Sequence, residues 1–275
     1  MQEIIVAAFL GIVQGLTEFL PISSSGHLIV LPKLFGWQGV VDSLSFDVAL
    51  HTGSTVAVVG FFWRDWLGMI GSFLKSAGGG KNKVLADPSS RLLLLLILGS
   101  IPAAAAGLLF QDFIETNVRS VLLVGSMLII FGFVLWWVDK VGEQKRSFKN
   151  VGWWDALLVG VAQAISLIPG VSRSGITITA ARGASLNREA AVRFSFLLST
   201  PAIVGATALT FKDYVEIGSG NNFDIFLIGF VSAAISGWLA IKFLLAFVQK
   251  HNFNIFVIYR VIFGLFLILW AIKGS

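Results

Sequence analysis

The chain has 275 residues, of which 56% are hydrophobic and only 13% charged, against roughly a quarter charged in an ordinary soluble domain. That balance excludes a conventional water-soluble globule and points to lipid as the solvent. The net charge of +5 does not indicate nucleic acid, because the basic residues sit at segment ends and in short loops where topology and anionic headgroups account for them; the absence of cysteine excludes disulfides, a thiolate nucleophile and Cys-type zinc sites.

In chain order, the first apolar segment lacks a basic flank and leads directly into polar residues, so it reads as part of the mature fold and not as a cleaved signal. Residues 4–20 and 27–35 form an interrupted pair around Pro21, Ile22, Ser23, Ser24, Ser25 and Gly26. The second arm is too short to cross a bilayer, so the pair reads as a re-entrant hairpin whose non-helical tip must be buried or line a cavity. Spans are predicted near 46–63, 91–111 and 118–138. A second interrupted pair, 153–168 with 176–184, surrounds Pro169, Gly170, Val171, Ser172, Arg173, Ser174 and Gly175, and spans follow near 188–211, 223–247 and 254–272. The expected fold is an all-α polytopic membrane protein: one integral domain over 1–275, with six transmembrane helices plus two re-entrant hairpins at about 4–35 and 153–184. Trp63, Trp66, Trp136, Trp137, Trp153 and Trp154 flank spans and suit an interface belt.

The halves 1–140 and 150–275 read as one plan used twice. Without a gap, 7–26 falls on 156–175, so that Gly11 matches Gly160, Gln14 matches Gln163, Ser23 matches Ser172, Ser25 matches Ser174 and Gly26 matches Gly175. With small shifts, Phe46, Leu50 and Thr52 fall on Phe194, Leu198 and Thr200, and Gly99 and Ala103 on Gly229 and Ala233. Three spans per half invert the second repeat relative to the first. Most of the basic charge, including Arg64, Lys81, Arg91, Arg146, Lys149, Arg182, Arg188, Arg193 and Lys250, falls on one side; the other holds Lys33, Arg119, Lys212 and Lys273. The positive-inside rule then sets both termini outside the cytoplasm. One hairpin enters from outside and the other from the cytoplasm, so their tips can meet near the midplane.

The two tips differ in chemistry. The first gathers Gln14, Thr17, Glu18, Ser23, Ser24, Ser25 and His27, with Gln14 and Glu18 one helical turn apart on the same face. A carboxylate at the bilayer centre costs roughly 2.5–3.5 kcal/mol to insert, so Glu18 needs a partner or a wet cavity. The second supplies Ser172, Arg173, Ser174 and Thr177. The planar guanidinium of Arg173 matches phosphate oxygens, and the backbone N–H groups of a Gly-rich helix start add an anion nest. Together these make a phosphoryl-transfer site. A structural rival for Arg173 is a carboxylate partner, Glu18 itself, locking the hairpins together. Arg260 reads as a snorkelling residue near the surface, Asp47 and His51 as a solvated face at a span's start, and Gln163 as a relic of the duplication.

The stretches Gln14-Gly15-Leu16-Thr17-Glu18-Phe19-Leu20-Pro21-Ile22-Ser23-Ser24-Ser25-Gly26-His27 and Pro169-Gly170-Val171-Ser172-Arg173-Ser174-Gly175-Ile176-Thr177 resemble the two signatures of the undecaprenyl-diphosphate phosphatase family. The resemblance covers essentially the whole chain. It implies hydrolysis of undecaprenyl diphosphate to undecaprenyl phosphate and inorganic phosphate in the bacterial inner membrane, recycling the carrier of peptidoglycan and other wall polymers and conferring bacitracin resistance. It also implies a divalent cation, Mg2+ or Ca2+, with Glu18 as its ligand. Gln14 stands where many relatives have glutamate, which removes one charge and makes a substrate-bridging cation the better reading. With chemistry and resemblance combined, Ser24, His27, Glu18 and Arg173 are the catalytic set, and Gln14, Ser23, Ser25, Ser172, Ser174 and Thr177 bind substrate. Ser24 is the first choice of nucleophile and His27 of its activator, although a phosphoryl-histidine exchanges those roles. The site is expected to open toward the periplasm, and a homodimer is left open. The alternative class is a transporter or flippase of polyprenyl phosphate lipids, since inverted repeats with broken helices also build transporters.

Overall fold

The computed structural model describes residues 2–118, 120–217 and 222–273, with backbone alone at 44, 111–113, 115–117 and 206–217. Arg119 and the side chain of Lys212 therefore lie outside the described residues. Among the described residues twelve α-helices run in order: α1 (Gln2–Phe19), α2 (Ser24–Phe35), α3 (Leu44–Phe61), α4 (Trp63–Ala77), α5 (Lys81–Ala86), α6 (Pro88–Asn117), α7 (Val121–Val141), α8 (Trp153–Ile165), α9 (Arg173–Gly183), α10 (Arg188–Ile217), α11 (Phe223–Phe247) and α12 (Asn254–Lys273). Among the described residues there is no strand beyond an isolated bridge between Arg146 and Leu186. Among the described residues five helices, α1, α6, α7, α11 and α12, are long and apolar enough to cross a membrane, and the bent pair α3–α4 makes six if counted as one span.

The first interrupted pair breaks over fewer residues than the sequence pattern suggests, 20–23 in place of 21–26, and the second break is shifted toward the N-terminus, 166–172 in place of 169–175. The serines of the first tip were expected in the loop, yet Ser24, Ser25 and Gly26 already belong to the first turn of α2, and Arg173, Ser174 and Gly175 to that of α9. The reason is capping. Ser23 and Ser172 each accept a hydrogen bond from the N–H three residues on, Gly26 at 3.4 Å and Gly175 at 3.1 Å, so a helix can start directly behind them. Both caps sit in the left-handed region, with φ of 73° and 72°. A β-carbon is strained there, and such strain concentrates where a precise chain reversal is required.

A second departure is α4. The sequence pattern ends the third apolar segment at residue 63, but the chain turns by 64° and continues as a helix. Trp63, Leu67, Ile70 and Leu74 are all exposed on α4, and their spacing puts them on one stripe. A helix with one exposed apolar stripe is amphipathic.

Packing crosses between the halves. Helix α1 lies against α11, α8 against α6, and α7 against α12. Close approach is bought with small residues, as expected where lipid removes the hydrophobic drive between helices. A β-carbon on Gly15 would fall 2.4 Å from the Ala233 carbonyl oxygen, and one on Gly160 would fall 2.2 Å from that of Gly99.

The polar end shared by α7, α8, α9 and α10 is held by ion pairs. Arg146 donates to both oxygens of Asp155 at 2.9 and 2.5 Å, and Arg188 and Arg182 both engage Asp139. Arg182 is fully buried and also donates to the carbonyl oxygens of Asp139, Gly142, Glu143 and Leu186. It is a buried clamp as well as one of the basic residues counted on that side of the sequence.

Candidate active site

The breaks after α1 and α8 bring the N-termini of α2 and α9 to one place, and Glu18 in the last turn of α1 is the centre of the cluster. Arg173 Nη2 donates to Glu18 Oε1 at 2.6 Å. Ser24 Oγ donates to Glu18 Oε2 at 2.5 Å, and Gln14 Nε2, one turn back on α1, donates to the same oxygen at 3.2 Å. Ser24 and Arg173 are the first residues of their helices, directly behind the matching caps Ser23 and Ser172, and so occupy corresponding places in the two motifs. One places a hydroxyl and the other a guanidinium on opposite oxygens of a single carboxylate. Ser174 Oγ ties the tips together by donating to the Leu20 carbonyl at 3.0 Å.

Glu18 and Gln14 are buried, while Ser24, Ser25 and Arg173 are partly accessible. A buried carboxylate is tolerable only when paired and fully hydrogen-bonded, and Arg173, Ser24 and Gln14 supply that. The accessible members are the hydroxyl and the guanidinium, the groups suited to an incoming phosphate: a nucleophile and a charged two-pronged donor. The first turns of α2 and α9 add the positive ends of two helices.

The remaining sequence-selected residues are placed as follows. Ser23 and Ser172 are the caps, and their hydroxyls lie 3.3 Å from those of Ser25 and Ser174. Thr177 is buried and turns its hydroxyl to its own helix, donating to the Arg173 carbonyl at 2.7 Å, and meets Ser195 Oγ of α10 at 2.6 Å. His27 is not brought to the Ser24 hydroxyl. Its Nδ1 lies 2.7 Å from the Ser23 carbonyl, an acceptor only, so Nδ1 carries the proton and Nε2 accepts from Tyr259 Oη at 2.5 Å. The ring stacks against Phe263 of α12 at 4.6 Å between centroids. Both nitrogens are committed, so in this arrangement His27 anchors α2 to α12 and does not activate Ser24.

Arg260 corrects the sequence reading outright. It is 0% exposed, not snorkelling. Its guanidinium donates to Leu128 and Met127 of α7, to Pro21 of the first break and to Gly170 and Val171 of the second, at 2.9–3.4 Å. A helix broken inside lipid leaves carbonyl oxygens that water cannot reach, and Arg260 satisfies those of both tips at once. The sequence signal was an arginine in the middle of an apolar span, which is costly unless it faces polar atoms.

Sequence reasoning read His51 of α3 as part of a solvated face and passed over Ser54. Ser54 Oγ lies 3.5 Å from Gln14 Nε2, and His51 Nε2 lies 4.0 Å from Glu18 Oε2. Neither the 3.6-residue period nor the motifs place α3 beside the tips.

The divalent cation implied by resemblance was tested against this donor set. Glu18 has both oxygens engaged, and a guanidinium 2.6 Å away opposes a second positive charge. Gln14 Oε1 is a buried acceptor without a partner, but an amide oxygen brings no charge. Among the described residues no three His, Asp or Glu side chains come together. Divalent ions bound through one or two carboxylates complete their shell with carbonyl, water and substrate-phosphate oxygens, so Glu18 and Gln14 Oε1 are the oxygens that would meet a cation brought by a diphosphate.

The chain was compared with known proteins. The family model for bacitracin resistance protein BacA matches residues 7–266. The chain is 46% identical over 260 residues to the undecaprenyl-diphosphatase of Thermodesulfovibrio yellowstonii, covering 94% of each chain. It is 44% identical over 265 residues to the undecaprenyl-diphosphatase of Pelotomaculum thermopropionicum and 46% over 271 residues to that of Thermomicrobium roseum, covering 96% of each chain in both cases. With one family model spanning both tips and every helix between them, the chain belongs to the bacitracin resistance protein BacA family.

Proposed function

We propose that this chain hydrolyses undecaprenyl diphosphate to undecaprenyl phosphate and inorganic phosphate, within the inner membrane of a bacterium. The observation that carries the reading is the convergence of Ser24 and Arg173 on Glu18 from two separately broken helices. The terminal phosphate of the substrate takes the Arg173 guanidinium from Glu18. The freed carboxylate then receives the proton of Ser24 as Ser24 Oγ bonds to the terminal phosphorus and the phosphoanhydride P–O bond breaks. Undecaprenyl phosphate leaves, and Arg173 stabilises the charge spread over the transferring phosphoryl oxygens. A water molecule then cleaves the phosphoserine, its O–P bond forming as the Oγ–P bond breaks, and inorganic phosphate departs. A divalent cation, Mg2+ or Ca2+, would enter as a complex with the diphosphate and supply charge neutralisation there.

The finer topology belongs to the same proposal: six crossings, two re-entrant hairpins, an inverted repeat, both termini outside the cytoplasm and a site open to the periplasm. It is supported by the matching left-handed caps at Ser23 and Ser172, by the cross-packing of α1 on α11 and α8 on α6, and by the collection of Arg146, Arg182 and Arg188 at one polar end. Phosphate release from undecaprenyl diphosphate by the purified protein in detergent tests the activity, with Ser24→Ala expected to be inactive and radiolabelled phosphate trapped on Ser24 of the parent. A protein that binds the lipid but releases no phosphate would be a carrier, and the proposal would fail.

A further inference from the structure

The cations at the polar end of the fold divide into two groups. Lys145, Arg146, Arg182, Arg188 and Arg193 each have a carboxylate partner, in Glu143, Asp155, Asp139 or Asp65. Arg91, in the first turn of α6, and Lys149, in the short 3-10 turn before α8, form no ion pair among the described residues. They nonetheless line one cleft of about 400 Å³. Its wall is apolar, with Leu92 and Leu95 from α6 and Phe148 and Val151 from the chain before α8, and among the described residues it contains no acid. Arg91 is half-buried and Lys149 is exposed. A second cleft of about 490 Å³ shares Ala86 and Pro88 with the first and adds Lys75, from the last turn of α4, and Lys83 of α5. Asp87, the acid there, is occupied as the cap of α6, accepting at 2.7 Å from both the N–H and the hydroxyl of Ser90. The exposed apolar stripe of α4 ends at Leu74, beside Lys75.

We propose that the cleft between α6 and the Phe148–Val151 segment binds an anionic phospholipid, with the phosphodiester on Arg91 and Lys149 and the start of an acyl chain along Leu92 and Leu95. Two unpaired cations over an apolar wall select that occupant. A soluble anion would meet the cations and leave the wall in water, and an acyl chain alone would cover the wall and leave the charges unmatched. A phospholipid uses both, and basic pockets beside membrane helices take such headgroups. The planar fork of Arg91 suits two phosphodiester oxygens, while Lys149 adds a point charge from the open side. The volume falls in the range of small-ligand pockets; it holds a headgroup and the first part of a chain, leaving the rest of the lipid in the bilayer. Helix α4 lies against α6, and its apolar stripe with Arg64 and Lys75 at its two ends is the pattern of a helix lying among anionic headgroups, so the clefts open where such lipids are. The site is separate from the reacting groups: the thirteen residues of α8, about 20 Å of helix, stand between Val151 and the second break.

The test titrates the full-length protein in detergent with phosphatidylglycerol and, separately, with phosphatidylcholine of the same acyl chains, and counts retained lipid by native mass spectrometry. Phosphatidylglycerol is expected to be retained at about tenfold lower concentration, the size of effect two cations give an anionic headgroup. Equal retention of the two lipids by the unmodified protein overturns the proposal without recourse to any variant. The double variant Arg91→Gln/Lys149→Gln is expected to lose the preference. Lys81→Gln removes an exposed cation of α5 that lines neither cleft, and is expected to change it by less than about twofold. A folded double variant that keeps the preference places the lipid elsewhere, and a Lys81→Gln protein that loses it equally shows only diffuse attraction to net charge; either result overturns the site. Inorganic phosphate at the concentration of the lipid is expected not to displace it. Displacement would mean that the cleft reads the anion alone, and the phospholipid assignment would fail.

Discussion

Glu18 and Arg173 lie 155 positions apart in the chain, yet their side chains are joined at 2.6 Å. The contact closes the gap between two broken helices, and it holds the guanidinium where a phosphate would replace the carboxylate. Removing one member of a buried, hydrogen-bonded pair typically costs 3–5 kcal/mol, because the other is left uncompensated. Arg173→Ala should lower kcat/KM by about 10³ or more, the contribution of an arginine aimed at a transferring phosphoryl group. Arg173→Lys should recover only part of that, having lost the planar fork. Phosphate release at matched amounts of folded protein measures both, and near-normal turnover by Arg173→Ala would remove Arg173 from the mechanism.

Arg260→Ala is expected to be among the most damaging changes in the last helix. Carbonyl oxygens from Pro21, Gly170 and Val171 lose their donor together, at about 1.5–3 kcal/mol for each hydrogen bond to a charged group. A fall in the thermal unfolding midpoint in detergent, with activity lost in parallel, checks this. An Arg260→Ala protein as stable as its parent would mean the tips do not depend on it.

The Tyr259–His27 contact has a milder expected effect. Tyr259→Phe keeps the ring against His27 and removes one hydrogen bond, worth about 1 kcal/mol. Turnover should fall little, since the tyrosine touches neither Ser24 nor Glu18. A steep fall in kcat for Tyr259→Phe would return His27 to the chemistry.

Gly15→Val tests the placement of Glu18 by packing alone. The added β-carbon meets the Ala233 carbonyl at 2.4 Å and Ser236 Oγ closer still, so α1 must move away from α11, carrying Gln14 and Glu18 with it. Overpacking costs about 1–3 kcal/mol. Activity should fall further than stability, which thermal unfolding and phosphate release compared on one preparation would show.

The chain has no cysteine, so single replacements report orientation directly. Lys33→Cys is expected to react with a membrane-impermeant thiol reagent added to intact cells and Lys145→Cys only after lysis. The opposite pattern would invert the topology.

The sequence alone settled the solvent, the two broken helices and the polar residues gathered at their tips, because these are local matters: apolar run length, proline and glycine at a break, and polar groups too costly for lipid unless used. Ser24, Glu18 and Arg173 were legible on those grounds. Position within the motif could not tell a cap from a ligand, so Ser23, Ser172 and Thr177 were grouped with the binding residues although their hydroxyls serve the backbone and Ser195. Helix α4 was missed because it carries neither a full apolar run nor a break signal. Only the tertiary structure decided which imidazole meets the carboxylate and what Arg260 does. His51 reaches Glu18, and Arg260 reaches both tips, through contacts between helices far apart in sequence; in lipid, where every backbone group left open by a broken helix must find a partner inside the protein, those long-range contacts fix which polar side chains are free to react.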